Sequence, residues 1–270
     1  MLHTRILTTI ILTPIIIYCI YLGSWPFLAL VMLFLTVAEL EFCHLMFRDG
    51  FRPTPLFGVA MVWLCLIDAK FPSPALLRPG ILLILLGSLT WQLWHRQGSP
   101  VADWALTVTS SLYIGLCGAY LIDLRDHLES GLWWTLTSVL AIVLADSGAY
   151  VFGRMWGKHK LAPTLSPGKT WEGYLAGILV AGVGTALLAQ TFQVQSGMML
   201  SVNMWHGLAL GILIAILAPL GDLAVSMIKR QVGVKDSGRL FPGHGGALDR
   251  IDSVLWTAVI AYYYVRLFIF

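Results

Sequence analysis

The sequence predicts an all-α fold: a polytopic integral membrane bundle of about nine transmembrane helices with a cytoplasmic N-terminus. Three observations predict it. Hydrophobic residues make up 58% of the 270, charged residues 11%, and mean hydropathy is +0.80, whereas a soluble domain is about 45–50% apolar and about 25% charged. Apolar runs of the length that crosses a bilayer, about 20 residues, recur along the chain and leave only short polar connections. The basic residues are distributed unequally between alternate connections.

The candidate helices cover roughly 6–22, 25–47, 54–71, 76–95, 101–122, 131–153, 173–190, 205–228 and 250–268. The first follows Arg5 and runs without a small-residue cleavage site, so it reads as a retained span rather than a signal peptide. The third and fourth are the weakest, because Asp68, Lys70 and Arg78 crowd their junction and Pro53, Pro55, Pro72, Pro74 and Pro79 punctuate it. With the N-terminus inside, every one of the 17 Lys and Arg except Lys70, Arg78, Arg125 and Arg266 falls on the inner side. Basic residues favour the cytoplasm, so nine spans with the C-terminus outside are expected. This divides the chain into residues 1–130, about five spans, and 131–270, about four spans carrying two cytoplasmic loops at 154–172 and 229–249. No internal repeat is visible, which counts against an inverted-repeat transporter. Cys19, Cys43, Cys65 and Cys117 stand singly in apolar runs and read as packing residues.

Charge is rare in this chain, so its carboxylates are informative. Asp222 follows Ala218-Pro219-Leu220-Gly221 near the end of the eighth segment. Proline breaks the helix there, and an acid beside such a break in apolar surroundings is by default functional. Asp249 and Asp252 are three apart and share a face if a helix begins beside them. They are either acids favoured by a helix N-terminus or ligands of a hard cation. Mg²⁺ takes one or two carboxylates together with substrate phosphates, and Asp222 with Asp249 would supply them. Asp146, inside the sixth segment on one face with Tyr150 and Gly153, is a further acidic ligand or a hydrogen-bond partner. Glu39, Glu41 and His44 near the inner end of the second segment read first as solvated or structural residues, with a role in the site as the less favoured alternative. Asp103, Asp123, Asp126 and Glu129 read as loop and cap residues.

Two loops carry the remaining chemistry. Lys229, Arg230, Lys235 and Arg239 place four cations within eleven residues, interleaved with Asp236, His244 and Gly238, Gly243, Gly245 and Gly246. Arg grips phosphate as a planar fork and Lys as a point charge, and glycines let successive backbone amides close around an anion. A topological stop signal would need neither glycine nor acid. In the other loop, Gly168-Lys169-Thr170 is not an NTPase phosphate loop, because Pro163 stands where that motif needs glycine. The segment still suits a role in wrapping a nucleotide or covering the site, with Lys169 as a phosphate ligand. Thr170 and Glu172 are placed to start the seventh helix, and Gly173, Gly177 and Ala181 have the spacing of helix packing.

The segment from Ser226 through Lys229, Arg230, Lys235, Asp236, Gly238, Phe241-Pro242-Gly243-His244-Gly245-Gly246, Asp249 and Arg250 to Asp252 resembles the signature of the CDP-diacylglycerol synthases, the phosphatidate cytidylyltransferases. Asp146-Ser147-Gly148-Ala149-Tyr150 with Gly153-Arg154, and Ser166-Pro167-Gly168-Lys169-Thr170-Trp171-Glu172-Gly173, resemble the same family. Over the first 130 residues only the hydrophobic pattern is shared. The resemblance implies that CTP and phosphatidic acid give CDP-diacylglycerol and pyrophosphate with Mg²⁺. It also implies a second, monovalent cation (K⁺), a homodimer and a bacterial inner membrane with the site facing the cytoplasm. No nucleic-acid partner is expected.

The residues agree with that chemistry. A lipid phosphate oxygen is already anionic and needs no strong base, so catalysis must neutralise charge and align the groups. Asp222 and Asp249 would hold Mg²⁺, with Asp252 and Asp146 completing or tuning the site. Ser226, Lys229, Arg230, Lys235, Asp236, Arg239, Gly245 and Gly246 would surround the phosphates, and His244 would donate to a phosphate or orient a carboxylate. The rivals are a CTP-dependent lipid-alcohol kinase, whose acceptor needs a base, and a membrane transporter, which would spread its acids across the midplane. A CDP-alcohol phosphotransferase is disfavoured because its Asp-Gly-x2-Ala-Arg pattern does not occur.

Overall fold

The computed structural model describes residues 2–95, 98–196, 202–238, 240 and 245–270. Their order is α1 (Leu2–Leu22), α2 (Ser24–Arg48), α3 (Pro55–Lys70), α4 (Pro74–Trp94), α5 (Pro100–Ile122), a π-helical turn (Asp123–His127), α6 (Gly131–Trp156), β1 (Lys160–Ala162), β2 (Ser166–Thr170), α7 (Trp171–Ser196), α8 (Met204–Leu217), α9 (Pro219–Gln231) and α10 (Leu248–Phe268).

Each expected apolar segment is helical, and the starts follow local chemistry. Pro55 and Pro100 open α3 and α5, where a missing N–H costs nothing. Asn203 caps α8, its Oδ1 accepting from Trp205 N (3.0 Å) and His206 N (3.1 Å). The eighth segment is divided into α8 and α9 at Pro219. Pro219 has no N–H to give the α8 ladder, so the hydrogen bonding is interrupted there, while Ala218 keeps right-handed helical angles and α8 and α9 remain one helical stretch.

Among the described residues six helical stretches are long and apolar enough to cross a membrane. They are Ser24–Arg48, Ala75–Trp94, Pro100–His127, Gly131–Trp156, Trp171–Val194 and Met204–Gln231. The other three expected spans fall short for different reasons. Only Ile10–Leu22 of α1 counts as a shorter apolar helix. α3 has 16 residues, roughly 24 Å at about 1.5 Å per residue against a core of about 30 Å. α10 is long enough but carries Asp249, Arg250, Asp252 and Arg266. The architecture is therefore a polytopic membrane protein of helices, with one small β-hairpin that the hydrophobic pattern did not signal.

The chain forms two compact units, residues 1–123 with 228–251 and residues 124–227 with 252–270. In the first, α2, α3 and α5 pack on one another, with α1 against α2 and α4 against α3 and α5. Gly115 lies against Val62 and Cys65, and a Cβ there would sit 3.1–3.3 Å from them, so a larger residue would have to push these neighbours aside. Several polar groups in this unit are paired, as an apolar medium favours, although the buried Glu39 Oε2 and Asp103 Oδ2 accept no hydrogen bond among the described residues. Trp63 Nε1 donates to Thr36 Oγ1 (2.8 Å), Trp104 Nε1 to Ser88 Oγ (3.1 Å) and Arg52 N to Asp103 Oδ1 (2.7 Å).

In the second unit α6, α7 and α8 pack together. The stripe of Gly173, Gly177 and Ala181 does serve packing. A Cβ on Gly173 or Gly177 would press on the carbonyls of Ala149 and Ala145 of α6, at 2.6 and 2.7 Å. Trp134, Leu210, Ile214, Ala261 and Val265 form the buried core where α10 joins. The two strands pair antiparallel, Lys160 opposite Thr170 and Ala162 opposite Ser166. Glu172 anchors the hairpin by accepting from Lys158 N (3.1 Å) and His159 Nδ1 (2.6 Å). Thr170 Oγ1 accepts the Gly173 N–H (3.2 Å) and starts α7.

Candidate active site

In the first unit the polar loop is organised around two carboxylates. Lys229 Nζ donates to Asp249 Oδ1 at 2.6 Å, and both side chains are nearly buried, 9% and 6% exposed. Asp249 Oδ2 accepts from Ser237 N (2.8 Å), Ser237 Oγ (3.0 Å) and Gly246 N (3.0 Å). Burial opposes the charge on Asp249. The Lys229 hydrogen bond, the Gly246 and Ser237 amides and the ammonium charge outweigh it, so its carboxyl is held below the usual carboxylate range.

The second carboxylate is Glu41 of α2. Its Oε2 accepts from Ser237 Oγ (2.8 Å) and Leu248 N (3.0 Å), and its Oε1 from Ala247 N (3.0 Å). The first N–H groups of a helix lack partners within it, and here a distant side chain supplies them. Gly238 and Gly246 press directly on this carboxylate, which leaves no space for a Cβ at either. The loop amides thus close around anions, as the glycine content suggested, but these anions belong to the protein. The sequence favoured a solvated or structural reading of Glu41 over a role in the site. The available signal was an acid at the inner end of a span facing a helix start without a capping side chain of its own.

α9 ends in a glycine-terminated turn. Gly233 has φ +71°, its N–H reaches Arg230 O (3.1 Å), and Val234 N reaches Lys229 O (3.0 Å). Arg230 Nη1 folds back on Val234 O (3.1 Å). Arg230, Lys235 and Asp236 are exposed, and Gly245 adopts φ +82°. Arg239 and His244 lie outside the described residues.

In the second unit Lys169 Nζ meets Asp222 Oδ2 at 2.5 Å, with the two side chains 28% and 30% exposed. Ser226, buried, donates from Oγ to Asp222 Oδ1 at 3.4 Å, a long bond. Gly221 is in tight contact with the Asp252 backbone and the Trp256 ring, which brings the start of α9 against α10. Asp252 is buried, and its Oδ1 accepts the Ser253 N–H. A cavity of about 570 Å³ opens beside the hairpin, lined among others by Asp146, Tyr150, Arg154, Lys160, Lys169 and Tyr174. Asp146 is exposed on its wall, as an acid inside an apolar helix requires.

The two lysine–carboxylate pairs differ in kind. A partly exposed pair such as Lys169–Asp222 contributes on the order of 1 kcal/mol and exchanges more easily than a buried one. Removing one partner of a buried pair such as Lys229–Asp249 costs roughly 3–5 kcal/mol. The first is suited to trade partners with a ligand, and the second to hold the loop.

Residues 3–268 match the family described as the Cytidylyltransferase family. The chain belongs to this cytidylyltransferase family. A protein of Bacillus subtilis (strain 168) called phosphatidate cytidylyltransferase is 31% identical over 268 residues, 98% of this chain and 97% of that one. One of the same name from Mycobacterium tuberculosis (strain H37Rv) is 38% identical over 209 residues, 76% of this chain and 57% of its own length. Another, from Staphylococcus saprophyticus, is 41% identical over 168 residues, 62% of this chain and 61% of the relative.

Among the described residues of this cytidylyltransferase-family chain, no three His, Cys, Asp or Glu side chains gather as a metal-binding group. A hard divalent cation that draws most of its ligands from phosphates and water needs only one or two carboxylates. Asp222, about a third exposed and with an exchangeable lysine, fits that requirement.

Proposed function

We propose that the chain is a phosphatidate cytidylyltransferase, an enzyme that joins CTP and phosphatidic acid to give CDP-diacylglycerol and pyrophosphate. The observation that carries this reading is the chemistry of its polar residues. Two lysine–carboxylate pairs and a glycine-rich loop stand in a chain otherwise poor in charge, and the family match runs the length of that chain. This chemistry suits a reaction in which one phosphate must approach another and no proton need be removed first.

The lipid phosphate oxygen attacks the α-phosphorus of CTP and pyrophosphate leaves. Lys229, Arg230, Lys235 and Lys169, with Arg239 and His244, offer positive charge or hydrogen bonds to the reacting phosphates and to pyrophosphate as it departs. Ser226, Asp236, Gly245 and Gly246 shape the loop around them. Asp222, Asp249, Asp252 and Asp146 are the oxygen donors proposed for Mg²⁺, and a monovalent cation such as K⁺ is proposed beside them. When bound, Mg²⁺ offsets the charge of the nucleotide phosphates.

The finer membrane arrangement belongs to the same proposal. It has nine spans, the N-terminus and site on the cytoplasmic face of a bacterial plasma membrane, and two copies of the chain forming a homodimer. Purified protein in detergent, given phosphatidic acid and each NTP in turn with Mg²⁺, tests the reaction. CDP-lipid and pyrophosphate from CTP are expected. Phospholipid with CDP from an alcohol acceptor would instead mean a lipid kinase, and solute flux without CTP a transporter.

A further inference from the structure

The cavity beside the hairpin has three cations in its wall, Arg154 from the end of α6 and Lys160 and Lys169 from the two strands. Its volume, about 570 Å³, lies within the range of small-molecule sites, about 300–1,000 Å³. Arg154 is exposed, and its guanidinium is steadied by the Tyr150 hydroxyl at 3.1 Å. Lys160 is exposed and forms no ion pair among the described residues. The base of the hairpin is fixed. Glu172 ties down residues 158 and 159, and Gly153 and Gly157 lie tight against Thr170. Its far side is open, with nothing within 4 Å of the position a Cβ would take on Gly168. A rigid base thus presents Arg154, Lys160 and the Asp222-paired Lys169 to an accessible space, with the Asp146 carboxylate on the same wall.

We propose that this cleft binds the polyphosphate of the nucleotide substrate. Arg154 and Lys160 are its anchoring cations, and Lys169 exchanges Asp222 for a phosphate oxygen when the nucleotide arrives. The proposal rests on the cytidylyltransferase reading and assigns CTP, rather than the lipid, to this wall. Two features favour the nucleotide. Three separate cations match a chain of several charged phosphates better than the single phosphate of phosphatidate. The lysine already present is engaged in a partly solvent-accessible ion pair, which a more highly charged ligand displaces more readily than a buried one. The exchange also frees the Asp222 carboxylate at the moment the nucleotide enters. Nucleotide binding would thus prepare an acid that is otherwise neutralised.

Two measurements test this. In the first, Arg154→Ala, Lys160→Ala and the double variant are assayed for CDP-lipid formation. KM for CTP is expected to rise about tenfold or more in the double variant, with KM for phosphatidate unchanged and kcat at saturating CTP within about twofold. An unchanged KM for CTP in an active, folded double variant overturns the assignment while leaving the proposed reaction intact. A wild-type protein that makes no CDP-lipid takes both down.

The second measurement does not depend on a variant folding. Wild-type protein in EDTA is treated with an amine-acylating reagent, and labelling of each lysine is read by mass spectrometry with CTP, inorganic tripolyphosphate or short-chain phosphatidate present. Shielding of Lys160 and Lys169 by CTP and tripolyphosphate, but not by phosphatidate, supports the proposal. Equal labelling in all arms, or shielding by phosphatidate alone, overturns it.

Discussion

Glu41 and Ser237 stand 196 positions apart and meet through a 2.8 Å hydrogen bond from the serine hydroxyl to the carboxylate. The same carboxylate accepts the N–H groups of Ala247 and Leu248, and Ser237 also donates to Asp249. A side chain of the second helix thereby orders the loop and the helix start that carries Asp249, the partner of Lys229 in the last turn of α9. The contact explains two glycines better than flexibility does, because Gly238 and Gly246 leave the space that Glu41 fills.

Glu41→Ala is expected to lower CDP-lipid formation at least about tenfold and to reduce thermal stability. Each donor it orphans costs roughly 1–3 kcal/mol, toward the lower end here because Glu41 is only half-buried. Glu41→Gln should be milder in kcat, since one amide oxygen still accepts while the NH₂ group faces donors. Gly246→Ala should resemble Glu41→Ala. Wild-type turnover in Glu41→Ala, measured on the purified protein, would sink the role assigned to this contact.

Asp222→Asn and Asp249→Asn should part company in stability while both remove most activity. Asp222 is about a third exposed and shares one partly exposed pair, so its loss should shift stability by only about 1 kcal/mol. Asp249 is buried with a lysine on one oxygen and three donors on the other. An amide there must turn its NH₂ toward one of those donors and leave Lys229 without a counter-charge, a loss of roughly 3 kcal/mol. Thermal unfolding in detergent, with product formation measured alongside, separates the two. Near-normal turnover in either variant would contradict its place in the site.

How far these features were legible depends on the distance over which the cause acts. The helices were legible because about 20 consecutive apolar residues admit few other readings, and the interruption at Pro219 because proline acts on its own helix. The Gly173, Gly177 and Ala181 stripe was legible for the same local reason. The hairpin was not, since β1 and β2 are short and Pro163 and Pro167 hide any alternation. Glu41 was undervalued because its partners lie about 200 residues away and no local pattern announces them. Lys169 was placed among the phosphate ligands by its loop, but its pairing with Asp222 depends on tertiary packing.

Chelation should separate activity from folding. Asp222 and Asp249 each have a lysine as counter-charge within the protein, so neither carboxylate needs a cation to keep the fold. EDTA is expected to abolish CDP-lipid formation and Mg²⁺ to restore it, while the thermal unfolding midpoint stays unchanged. A collapse of that midpoint on chelation would mean that the cation is structural.

Lys229→Ala and Arg48→Ala remove the same charge from segments expected on the same side of the membrane, and they should differ sharply. Arg48 is exposed in the last turn of α2, where a cation favours the helix end by a few tenths of a kcal/mol. Lys229 is buried on Asp249, and its removal leaves a carboxylate facing three donors without its cation. If basic residues here only set topology, the two substitutions should cost activity equally. If Lys229 holds the loop and faces phosphate, its loss should exceed that of Arg48→Ala by at least about tenfold in kcat/KM. Both variants, purified and assayed at equal membrane insertion, decide between these outcomes.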